Sequence, residues 1–152
     1  MTKVQKILAS VVGVWMIASV GSIFAQSNPA VRNIVQWDSP RTEELFTRAC
    51  ADCHSHQTKW PWYAGVAPMS FVIIHHVNEG REHFNISIAD MGESDEAGEE
   101  VEEGEMPLAG YLRFHPEANL TDQEKQELIQ GLEKTFPAGH HEGEKHKHHD
   151  KD

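Results

Sequence analysis

Cysteine is nearly absent from this chain: there are two, Cys50 and Cys53, three positions apart. With no further thiol, a disulfide framework of the kind that braces small exported domains is excluded. Positive charge is also scarce. Lys and Arg number 13 against 24 Asp and Glu, a formal net charge of −11. That balance argues against nucleic acid and against an anionic lipid surface as partners. Without Lys3 and Lys6, 11 basic residues face 24 acidic ones, a formal −13. Solubility is the simplest use of that charge, although a basic docking partner would suit it too. No strand-rich pattern flanks the cysteine pair, so the βαβ setting of a thioredoxin-like dithiol is missing.

The two cysteines lie in Cys50-Ala51-Asp52-Cys53-His54, which has the form C-x-x-C-H, the attachment signature of c-type haem. In that chemistry the thiols add across two porphyrin vinyl groups and the histidine reaches the iron. On a helix these three side chains share one face and can address one flat ligand. A zinc site is the main rival. It would need more Cys or His ligands at metal spacing, and 11 histidines provide material for it.

The N-terminus bears on the choice. Lys3 and Lys6 precede an uncharged, largely apolar run, 7–25. This is a signal peptide or a membrane anchor, and either would carry the chain out of the cytoplasm to the side of the membrane on which c-type haem is attached. The run is just long enough to cross a bilayer about 30 Å thick. Cleavage after Ala25 would put Ile23 where a small residue is usual, which favours an anchor. The preceding lysines place the N-terminus inside and the remainder in the periplasm.

Residues 35–136 form the expected domain, marginal in size for a core of its own. Residues 137–152 are read as a disordered His-rich tail, carrying His140, His141, His146, His148 and His149. Its composition suits solubility, with loose transition-metal binding as the alternative.

Three helices are expected within the domain. The first starts with Ser39 as N-cap and Pro40 at the first turn, and Phe46, Ala49, Cys50 and Cys53 recur at helical spacing. Its inward face thus also carries the thiols. The second covers 68–78 with Gly80 at its end, and its apolar block 71–74 is expected to be buried, although four such residues could also make a strand. The third opens with the capping box Thr121-Asp122-Gln123-Glu124, buries Leu128, Ile129 and Leu132, and stops at Phe136-Pro137.

Between the first two helices, Trp60, Trp62, Tyr63 and Pro68 belong to an irregular loop rich in aromatic area. They are expected either to plug the core or to wall one edge of the haem. The acidic run 90–105 reads as a solvated, mobile segment. It gives way to Met106-Pro107. A haem with His54 on one face needs a second ligand or leaves that face open. Met106 beside a stiffening proline is the leading candidate, with Met69, Met91, His75, His76, His83 and His115 as rivals.

A longer string strengthens the picture. His54-Ser55, Thr58, Trp60-Pro61-Trp62-Tyr63, Ala67-Pro68, Ser70, Gly80-Arg81, Asn85, Ser87, Glu103-Gly104-Glu105-Met106-Pro107, Tyr111, His115-Pro116 and Leu120-Thr121 follow one another. Together they resemble the haem-binding domain family of bacterial c-type cytochromes over about 37–132. The resemblance implies a mainly α, small cytochrome c-like helical domain around one covalently attached haem c. It implies Cys50 and Cys53 as attachment points and His54 and Met106 as axial iron ligands. One departure stands out: Ile88, Ala89 and Asp90 occupy the place where the family pattern has a tryptophan.

Two functions follow as expectations. The first is an exported monohaem electron carrier, not an enzyme, whose partners are redox proteins and which takes no small-molecule substrate. The second is a ligand sensor or peroxidase-like enzyme with an open or labile distal face, which would need an acid–base residue beside the iron. A metal-handling role for the histidine tail is a distant third.

Overall fold

The computed structural model describes residues 2–138, so the His-rich tail expected beyond this point lies outside the described residues. The chain is helical, and no strand occurs among the described residues; Phe84 and Gly92 form one isolated bridge. In order, the helices are α1 (Lys3–Ala25), α2 (Pro40–Ala49), α3 (Ala51–His54), α4 (Met69–His83), α5 (Ala97–Glu102), α6 (Ala109–Leu112) and α7 (Asp122–Thr135).

α2 begins as its sequence dictates. Ser39 Oγ accepts from Thr42 N at 3.2 Å, and Pro40 fills the first turn, where an N–H would have no partner. The Thr42 hydroxyl also donates to Asp38. The expected single helix through Cys53 is instead two pieces. Cys50 leaves helical geometry at φ −123°, and α3 carries the rest of the motif.

α7 shows the full capping box: Thr121 Oγ1 accepts from Glu124 N at 3.2 Å, and Glu124 Oε2 accepts from Thr121 N at 2.9 Å. Leu128, Ile129 and Leu132 are buried, as the stripe predicts, and meet Leu45 and Phe46 of α2 in the core. Arg41 and Arg48 of α2 converge on Glu124 and Glu127 of α7, and the Arg48 guanidinium at 2.5 Å pulls the Glu124 carboxyl down to about 2.

Three further expectations are corrected. The acidic run 90–105 is folded. A 3-10 turn (Ser94–Glu96) leads into α5, whose Gly98 and Val101 are buried in contact with α7. Three small or apolar residues, Ala97, Gly98 and Val101, suffice to seat a helix whose other positions are acidic, with Glu99 and Glu102 exposed and Glu100 half-buried. The block 71–74 is not interior: Phe71 is 54% and Val72 49% exposed, and only Ser70 and Val77 of α4 are buried. α4 packs on α3 and on the 3-10 turn Trp62–Gly65, which leaves the outer side of its first turns uncovered. α4 also runs through Gly80 to His83 rather than stopping before it.

α1 is exposed along nearly all its length, with only Ser22 buried, and contains an 18-residue window of mean hydropathy 2.1. It is long and apolar enough to cross a bilayer.

The α2–α7 contact is tight at Gly131, where an added Cβ would lie 2.6 Å from Thr42 Cγ2 and 2.8 Å from Thr42 Cβ. A β-branched neighbour cannot swing aside. Gly131→Ala should therefore destabilise the protein by about 1–3 kcal/mol, read as a lower midpoint in chemical denaturation.

Candidate functional site

The turn between α2 and α3 places Cys50, Cys53 and His54 on the wall of one cavity of about 610 Å³. That is within the roughly 300–1,000 Å³ of small-molecule and cofactor pockets. Phe46, Ala49, Phe84, Val101 and Leu132 make the wall apolar, and Met106, Pro107, Leu108 and Tyr111 complete it. Glu79, Glu93, Glu96, Glu100, His76 and His83 supply the polar part; among the described residues no Lys or Arg lines it.

Both cysteines are free thiols. Burial pushes the Cys50 thiol up to about 12, aided by Cys53, and the Cys53 thiol up to about 11, aided by Asp52. The zinc reading finds no support, because among the described residues no three His, Cys, Asp or Glu side chains group closely enough to hold a metal.

His54 Nδ1 lies 3.0 Å from the Phe84 carbonyl. A carbonyl partner makes Nδ1 the protonated nitrogen and leaves Nε2 as the ligating one. Burial lowers the imidazole pKa, partly offset by the carbonyls of Phe84 and Gly80, so the ring is neutral, the form that binds metal. The residues following the motif are equally held. Ile86 N donates to His54 O at 3.0 Å, and His56 N to Ser87 Oγ at 2.8 Å. Ser87 N in turn donates to Asn85 Oδ1 at 3.0 Å. Arg81 donates to Ser55 O at 2.9 Å and Thr58 Oγ1 at 2.8 Å. This gives physical sense to Gly80-Arg81, Asn85 and Ser87: they form a brace behind the histidine.

The segment after α5 makes the other part of the wall. Met106 N donates to Glu100 O at 3.0 Å, so α5 sets where Met106 stands. Tyr111 ties this segment to the motif, its hydroxyl donating to Asp52 Oδ2 at 2.9 Å. That bond and burial both raise the Tyr111 pKa, so the phenol stays protonated.

Among the rivals, Met69 is 41% exposed on α4 and Met91 packs on the core; neither lines the cavity. His76 and His83 line it but are exposed, and His83 pairs with Glu93 at 2.9 Å. His75 and His115 are outside the lining.

Trp60, Trp62, Tyr63 and Pro68, expected at the haem edge, are not in the lining either. Trp62 is 84% exposed, Pro68 is exposed, and Trp60 Nε1 donates to Asn28 Oδ1 at 3.1 Å. Tyr63 acts one layer back. Its hydroxyl lies 3.2 Å from His115 Nε2, and the His115 ring stacks on Tyr111 at 4.1 Å. The loop is occupied instead by α1 and by the linker after it: Trp15 Nε1 donates to Ala67 O at 2.7 Å and Gln26 Nε2 to Ala64 O at 2.7 Å.

Sequence reasoning missed Phe84, Val101, Leu132 and the structural role of Gly80 in this site. The available signal was a glycine inside a helical stretch. An added Cβ at Gly80 would lie 2.9 Å from the Cys53 carbonyl oxygen and 3.0 Å from Cys53 Cβ. Gly80→Ala should lift α4 off the cysteine turn, costing about 1–3 kcal/mol and lowering the haem content of the purified protein. Haem-to-protein absorbance and thermal unfolding would measure both.

The model of the haem-binding domain family matches residues 14–134, a span that contains every residue of the cavity wall. No curated protein and no solved structure matches the chain. The donor set fits the group named by the family: a neutral, oriented imidazole, a thioether and two free thiols share one apolar cavity. The chain belongs to the haem-binding domain family.

Proposed function

We propose that the protein is a monohaem c-type cytochrome, exported and held by α1 at the membrane, that passes single electrons between redox proteins and is not an enzyme. The observation that carries this reading is that Met106 is the one methionine, among the described residues, that lines the same cavity as Cys50, Cys53 and His54. When bound, the haem supplies one-electron chemistry at its iron.

This chain's residues do the rest. Cys50 and Cys53 would hold the porphyrin as thioethers, and His54 would present Nε2 while the Phe84 carbonyl holds Nδ1. Met106 provides a thioether, which favours ferrous over ferric iron and raises the potential. Phe46, Ala49, Phe84, Val101 and Leu132 give the cavity an apolar wall that would keep water from the bound group. With His54 and Met106 as the residues that would hold the iron, a small-molecule substrate would find no open position there. The exposed carboxylates Glu79, Glu93 and Glu96, with no Lys or Arg in the lining among the described residues, suit a redox partner with a basic face.

Protein made in a host with c-type maturation machinery should carry one haem that survives acid–acetone extraction, and replacing both cysteines by alanine should abolish it. Oxidised protein should show the weak far-red band of a ferric iron–thioether bond. Met106→Ala should remove that band, lower the potential and admit carbon monoxide, whereas Met69→Ala and Met91→Ala should leave it. A native protein that lacks the band and binds carbon monoxide readily would move the sensor or peroxidase-like reading ahead.

A further inference from the structure

The side of the domain next to α1 is unlike the rest of its surface. Trp62 is 84%, Phe71 54%, Val72 49% and Met69 41% exposed, a concentration of large apolar side chains that a freely soluble face rarely shows. The whole stretch 60–78 contains no Asp, Glu, Lys or Arg, in a chain with 24 acidic residues. Nothing in the cavity explains this, since of these residues only His76 lines it.

The position of the patch follows from its contacts with α1. Ala67, just before α4, lies against Trp15 and Ser19, whose Oγ accepts from Ala67 N at 3.1 Å. The α4 face Phe71, Ile74, His75 and Asn78 then lines a groove with Ala18, Gly21, Ser22 and Ala25. α4 therefore starts beside the middle of α1 and advances toward its C-terminal end. The two helices are uncharged over the lengths that run side by side: the first charged residue of α4 is Glu79, and α1 carries no charge over 7–25. The irregular backbone between Trp62 and α4 is served by α1 and the residue after it, through Trp15, Ser19 and Gln26. Non-helical backbone at membrane depth requires such internal partners. The family match also begins at residue 14, so it takes in the part of α1 that makes these contacts.

We infer that the domain does not swing on a tether but sits on the outer leaflet, with Trp62, Met69, Phe71 and Val72 inserted in the bilayer that α1 crosses. The occupant of the patch is lipid, and the recognition is apolar rather than electrostatic, since 60–78 holds no Lys or Arg to seek anionic headgroups. An exposed tryptophan suits the headgroup level of such a contact. The seating leaves the cavity, with Glu79 and His83 at the far end of α4, facing the aqueous side. This inference rests on the reading of α1 as a retained anchor.

The test is photolabelling of the full-length holoprotein in phosphatidylcholine nanodiscs that contain a diazirine-bearing acyl chain, with labelled sites mapped by mass spectrometry. Label is expected on α1 and on the segment from Trp62 to Val72, but not on Ile34 or Leu108, which are exposed apolar residues outside that segment. A Phe71→Glu, Val72→Glu variant should lose the label at Trp62 and Met69 several-fold while its haem spectrum is unchanged. Label confined to α1 would overturn the inference and leave the anchor reading standing. Equal label on Ile34 and Leu108, or undiminished label in the double variant, would also overturn it. A mature protein whose mass lacks residues 1–25 would overturn the anchor reading, and this inference with it.

Discussion

The approach of α4 to the cysteine turn governs the rest of the site. Only a residue without a side chain lets the two backbones come this close at Gly80 and Cys53. From that contact, one helical end delivers several groups at once. Arg81 grips the carbonyl of Ser55 and the hydroxyl of Thr58, and the Phe84 carbonyl reaches His54 Nδ1. Asn85 and Ser87 then continue the brace along His56. The imidazole is thus held by backbone geometry set on a rigid helix, which fixes both its tautomer and its direction.

The second part of the wall depends on a weaker-looking element. α5 is mostly carboxylate, yet it docks on α7 through Gly98 and Val101 and leaves Glu99 and Glu102 to solvent. Once docked, the Glu100 carbonyl receives the Met106 amide, and Tyr111 closes the ring of contacts by reaching Asp52. Asp52 lies between the two cysteines, so the cysteine–histidine motif and the methionine segment are joined by one hydrogen bond from a half-buried phenol. α7 supports both sides, since Gly131 meets Thr42 of α2 while Ile129 and Leu132 enter the shared core.

Legibility of this molecule in its sequence varied with how local each signal was. Ser39 and Thr121 announced helix starts because a cap is a contact across three residues. The C-x-x-C-H motif and Met106 were readable because their chemistry belongs to residue types and short spacings. The loop 60–68 was read as core or haem wall from its aromatic content, yet Trp62 faces outward and α1 contacts the loop from the other side. Aromatic area indicates that a surface will be covered, not by what. The acidic run misled for the opposite reason, as average composition hid a narrow stripe of Ala97, Gly98 and Val101. The block 71–74 shows the same limit, because burial of an apolar run depends on which elements arrive beside it.

By itself, the sequence determined the helical class, two helix starts, the cysteine–histidine motif and the methionine segment, all of which rest on interactions among neighbours along the chain. Only the tertiary structure decided that Cys50, Cys53, His54 and Met106 border one cavity, and that Met69 and Met91 do not. It also decided that Gly80 is a contact point and that α5 carries Met106 into place. Those outcomes depend on distances between segments tens of residues apart, which helix packing sets and which no local pattern encodes.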